Sequence, residues 1–74
     1  MTPEEVLPLL RVIRDGTQDT SDITQAIGLQ KAVAEYRLEQ LHRQGYLYHR
    51  WHQGAGSSWE LSGDGQRYLD AGGG

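Results

Sequence analysis

Residues 20–47 read TSDITQAIGLQKAVAEYRLEQLHRQGYL, and residues 59–69 read WELSGDGQRYL. In the first stretch Ile23, Ala26 and Ile27 recur at helical spacing behind Thr20 and Ser21, either of which can cap the next turn. Gly28 stops that helix, and Leu29 is expected to tuck back into the core from the turn. From 31 to 44, Ala34, Leu38 and Leu41 fall within about 60° of one another at ~100° per residue, which gives a second helix one buried face. Arg43 and Gln44 occupy its last turn before Gly45, a second stop.

Downstream, Tyr46 to His52 alternates as a strand does, with Leu47, His49 and Trp51 on one side and Tyr46, Tyr48, Arg50 and His52 on the other. Gln53 to Ser57 reads as a loop with two glycines, and Ser58 to Leu61 as the return strand. Trp51 and Trp59 stand near-symmetrically about that loop and are expected to pair across the strands. Ser62 caps a last helix to about Ala71, which docks through Tyr68 and Leu69. Upstream, residues 3 to 15 form an amphipathic helix on Val6, Leu9, Leu10 and Ile13. Thr2 and Glu5 have the spacing of a capping box behind Pro3, and Asp15-Gly16 ends the helix. Pro8 in the second turn removes one backbone bond and is expected to bend the start. Thr17 to Thr20 is expected as a loop, and residues 72–74 as a disordered glycine tail.

The expected fold class is therefore α+β, mainly α with a small β-hairpin. Three helices, a two-stranded wing over 46–61 and a short C-terminal helix make one winged helix-turn-helix domain over residues 1–71.

The 74 residues include no cysteine, so no disulfide framework and no thiolate metal site can form. A chain of this size buries only about 60% of its unfolded surface, and a second copy or a partner would add to its stability. No apolar run approaches the roughly 20 residues needed to span a bilayer, and the start MTPEEVLPLL is acidic, unlike a secretory signal. A cytoplasmic protein of prokaryotic or phage origin with no membrane partner is the expectation. The net charge of −3 is unevenly spread. Residues 31–52 carry four basic side chains against two acidic ones, and all three histidines; the remainder carries three basic against eight acidic. Positive charge is thus concentrated on the third helix and the hairpin, where nucleic acid would require it.

The string LEQLHRQGYL followed by WELSGDGQRYL resembles the small winged-helix regulators of the multiple-antibiotic-resistance and phenolic-acid repressor families, over about residues 20 to 70. There the recognition helix runs into a Gly-Tyr-hydrophobic step, and the wing returns as aromatic-x-Leu-Ser/Thr-x-x-Gly. The resemblance implies a transcriptional regulator that binds double-stranded DNA as a homodimer, with the third helix in the major groove and the wing on the backbone. The chain departs from that pattern in being shorter, in lacking a long dimerisation helix, and in carrying Glu35 and Glu39 on the third helix.

Candidate nucleic-acid contacts follow from the outward face of that helix. Lys31 lies at its N-terminus, where free amides attract phosphate. Ala32, Tyr36, Glu39, Gln40 and Arg43 face out; Gln40 and Arg43 carry donors able to read base edges, Tyr36 can reach a phosphate or a thymine methyl, and Glu39 opposes phosphate contact but can accept from cytosine. On the wing, Arg50, His52 and Gln53 adjoin the glycine loop. The bland alternatives are a solvated helix face of mixed charge and hairpin cations that keep an edge soluble. His49 and His52, three apart on a strand, point to opposite faces, so no metal site is expected, and no other cofactor. No catalytic role is expected either: the serines lie in turn and cap contexts, and GAGSS lacks the spacing and lysine of a phosphate-binding loop. The second function class is a winged-helix module that binds protein and not DNA, favoured by the acidic remainder and by exposed Tyr36, Tyr48 and Trp51.

Overall fold

Six elements succeed one another among the described residues of a computed structural model: α1 (Pro3–Arg14), α2 (Thr20–Ile27), α3 (Lys31–Arg43), β1 (Leu47–His52), β2 (Gly56–Leu61) and α4 (Gly63–Ala71). The structure describes residues 2–54 and 56–72; Ala55 of the expected loop and residues 73–74 of the expected tail lie outside them. Val6, Leu9, Leu10 and Ile13 of α1 join Ile23, Leu38, Leu41, Leu47, Trp59 and Leu69 in one buried cluster. The winged-helix order anticipated from the glycine stops is the order found.

The stops work through a shared geometry. Gly16 and Gly45 sit just beyond their helices at φ of 106° and 86°. In each case the glycine amide and the next residue's amide bond back into the last turn: Gly45 to the His42 carbonyl and Tyr46 to the Leu41 carbonyl. Gly28 closes α2 at φ 69°. The helix starts behave differently. Thr2 makes no side-chain cap bond, so the capping box does not form; its carbonyl receives the Glu5 and Val6 amides instead. The cap of α2 is neither Thr20 nor Ser21 but Asp19, again without a side-chain bond. The Thr20 hydroxyl is occupied elsewhere: it accepts from the Trp59 indole at 3.0 Å and lies 3.4 Å from Ser57 Oγ. A buried indole N–H requires an acceptor, and here that need outweighs a local cap. Only Ser62 caps as expected, its Oγ accepting from the Gly65 amide at 3.0 Å while donating to the Gly45 carbonyl at 2.6 Å.

Two further corrections concern the hairpin. β1 and β2 pair antiparallel with His52 opposite Gly56, so the return strand starts two residues earlier than expected. That register sets His49, not Trp51, opposite Trp59, and Trp51 opposite Ser57. The expected tryptophan pair is therefore interrupted by an imidazole: His49 stacks on Trp59 with centroids 3.9 Å apart and contacts Trp51 at 4.5 Å. The expected loop over 17–20 carries an isolated bridge at Asp19, and Thr20 already belongs to α2. Asp19 bridges Ser58, and the Trp59 amide donates to the Gln18 carbonyl at 3.0 Å, which covers the outer edge of β2.

α4 lies against the end of the hairpin through Gly65. A Cβ there would overlap the Tyr46 carbonyl oxygen and come within 2.9 Å of Leu61 Cδ1, whereas a Cβ on Gly63 would meet only Arg67 Nη1 at 4.0 Å. Gly65→Ala should therefore destabilise by about 1–3 kcal/mol despite the better helix propensity of alanine, while Gly63→Ala should show no loss in urea unfolding. Thr20→Val, which removes the indole's acceptor at nearly constant volume, should cost about 1–3 kcal/mol by the same measurement, and Thr20→Ser should restore most of it.

Candidate nucleic-acid interface

α3 presents three strips once Ala34, Leu38 and Leu41 are turned inward. At ~100° per residue, Ala32, Tyr36 and Arg43 point most directly away from the core, Lys31, Glu35, Glu39 and His42 flank them on one side, and Val33, Arg37 and Gln40 on the other. The first flank faces the hairpin: Lys31, Glu35 and Trp51 border one cleft, and Glu35, Glu39, His49 and Trp51 another. Ala32, Val33, Tyr36 and Arg37 border a separate depression with Glu5 of α1. The helix thus divides its exposed surface between the wing and α1.

Tyr36 is 63% exposed, Ala32 and Arg43 are exposed, and Gln40 is half-buried. On the hairpin, Arg50, His52 and Gln53 are exposed, with Gln53 in the turn. His52 Nε2 lies 2.7 Å from Ser58 Oγ, which holds the ring against its own hairpin. The three cations singled out from the sequence each stand beside a carboxylate. Lys31 Nζ is 3.9 Å from Glu35, Arg43 Nε 3.5 Å from Glu39, and Arg50 Nε 3.1 Å from Glu60 across the strands. Spacing on α3 makes the first two pairs legible in the sequence, as i,i+4 neighbours. The third needs the register. Exposed pairs of this kind are worth roughly 0.2–1 kcal/mol, so a phosphate can displace the carboxylate. Arg37, not among the candidates drawn from the sequence, is half-buried on the opposite flank and makes no ion pair among the described residues.

Between the helix and the wing lies an aromatic cluster that sequence reading did not assemble. His42 meets the edges of His49 and Trp59, at 5.9 and 6.2 Å, while His49 lies flat on Trp59. His49 Nε2 is buried without a hydrogen-bond partner among the described residues. Burial, and then the adjacent His42, hold the His49 imidazole below the ordinary histidine value of 6.5, with Glu39 acting in the opposite sense. Among the described residues no group of three or more His, Cys, Asp or Glu side chains is arranged to hold a metal ion. No helix among them is long and apolar enough to cross a membrane.

No protein-family model and no curated protein matches the chain. Solved structures do. Bordetella bronchiseptica BpsR, a protein whose DNA binding is regulated by 6-hydroxynicotinic acid, superposes with a TM-score of 0.78 at 20% identity, over 88% of this chain and 48% of that one. S. aureus MepR, solved in complex with DNA, gives 0.77 at 20% identity over 96% and 53%. A MarR family protein from Bacillus stearothermophilus gives 0.79 at 14% identity over 97% and 51%. The likeness is one of fold: the chain has the winged-helix architecture of MarR-type regulators, as the LEQLHRQGYL and WELSGDGQRYL strings implied, and it spans about half the length of these proteins.

The depressed His49 value has a measurable consequence. The unfolded chain takes up a proton at higher pH than the folded protein, so the stability of the neutral form is complete above about 6.5. It declines as pH falls from there through the folded-state value. The thermal midpoint should drop between pH 7.5 and 5, and His49→Phe, which keeps a ring on Trp59, should show a smaller drop. An equal drop in the variant would assign the effect to other groups.

Proposed function

We propose that this chain is the DNA-binding unit of a winged-helix transcriptional regulator, with α3 entering the major groove and the β1–β2 wing lying along the backbone. What carries the reading is the pairing of fold with surface. The outward strip of α3 is exposed, the wing bears Arg50 and Gln53, and the same architecture occurs in MepR, which was solved bound to DNA. Arg43 and Gln40 are the base-reading candidates, Tyr36 and Ala32 the apolar contacts, and Lys31, Arg50, His52 and Gln53 the backbone contacts.

Charge sets the stoichiometry. One copy offers few cations on this face, and each of Lys31, Arg43 and Arg50 is shared with a carboxylate. Two copies on successive major-groove segments, about 34–36 Å apart, double the phosphate contacts and match a two-fold site. The reading requires no cofactor and no catalytic step.

The experiment is duplex binding at two salt concentrations, with the mass of the complex taken alongside. The wild-type protein should bind as two copies with an affinity that falls steeply with salt. Arg43→Ala combined with Arg50→Ala should weaken binding by about tenfold or more and reduce the logarithmic salt slope by about 1 per copy, the share of the backbone-contacting Arg50. An affinity indifferent to both salt and substitution would reject DNA binding and leave the protein-binding class.

A further inference from the structure

Two adjoining hollows of 330 and 280 Å³ separate α3 from the hairpin, and Thr20, Glu35, Trp51 and Ser57 border both. Together they form a cleft within the lower range of small-ligand sites, about 300–1,000 Å³. Its two walls differ in chemistry. The α3 wall holds Glu35 and Glu39 one turn apart, and Asp19, from the start of α2, borders the same cleft. The facing wall is aromatic: Trp51 is 78% exposed, and the stacked His49 and Trp59 lie beside it. Three carboxylates and one ammonium, that of Lys31, border the whole cleft. That balance repels phosphate and selects for cations.

We infer that this cleft is a binding site for a guanidinium group, carried either by a small molecule or by an arginine side chain of a polypeptide. A planar guanidinium stacks on an aromatic face and forks onto a carboxylate at once, which is the combination that Trp51 and Glu35 offer across the cleft. Glu35 is available for it. Its contact with Lys31 is long, at 3.9 Å, and both side chains are at least half exposed, so a bidentate ligand displaces the ammonium. Glu39 is held by Arg43 and His42, at 3.5 and 4.0 Å, and supplies longer-range attraction. The Thr20 and Ser57 hydroxyls add polar groups at the border. Neutral His49 adds no repulsion to an incoming cation near neutral pH.

The test uses the full chain without DNA, so it stands apart from duplex binding. Agmatine is titrated against N-carbamoylputrescine, in which a neutral urea replaces the guanidinium, with the backbone amide resonances of Thr20 and Ser57, which border both hollows and are present in every variant, as the reporters. Agmatine should bind at least about fivefold more tightly than the urea, and Glu35→Gln and Trp51→Ala should each remove at least that factor. Both side chains are exposed, and the spectra themselves show whether each variant stays folded. The peptide Gly-Arg-Gly forms a second arm: agmatine binding the more tightly assigns the site to a free ligand, and the peptide binding the more tightly assigns it to a polypeptide arginine. Neither probe binding, the urea matching agmatine, or either variant changing affinity by less than that factor would overturn the inference.

Discussion

The Trp59 indole governs how the hairpin meets the helices. The side chain is 3% exposed, so its N–H has to find an acceptor inside the protein, and Thr20 at the start of α2 provides it. The backbone of the same residue bonds to Gln18, and its ring carries His49. One residue of β2 is thereby tied to the α1–α2 connection, to α2 and to β1. The direction in which the wing leaves the body, and the cleft it forms with α3, follow from that single buried donor.

A second joint fixes the other end of the hairpin. Ser62 receives the Gly65 amide and donates to the Gly45 carbonyl, while its own amide bonds to Tyr46. The end of α3 and the start of α4 thus share one hydroxyl, and Gly65 lets α4 approach the Tyr46 carbonyl. The serine and glycine of the WELSGDG string and the glycine-tyrosine step after α3 are two halves of one contact.

The surface carries a tension that the net charge alone does not reveal. Positive charge is gathered on α3 and the wing, yet Glu35, Glu39 and Glu60 are interleaved with it. The outermost strip of α3 and the cleft beside the wing are consequently different environments: one exposes Tyr36 and Arg43, the other lines aromatic rings with carboxylates. A cationic guest in the cleft would reduce the negative charge next to the very strip assigned to DNA.

Local rules determined the element order. The glycine stops, the 3.6-residue spacing of Val6, Leu9, Leu10 and Ile13 and of Ala34, Leu38 and Leu41, and the Ser62 cap depend on neighbours a few residues away, so sequence alone sufficed for them. The same spacing separated the inward from the outward face of α3, and hence most of the candidate site. What only the tertiary structure decided involves partners distant along the chain. Thr20 gives its hydroxyl to Trp59 and not to a cap, His49 takes the place opposite Trp59 that Trp51 was expected to hold, and Arg50 meets Glu60. Each turns on the hairpin register, a shift of which changes every cross-strand neighbour, and on the need of a buried donor for an acceptor.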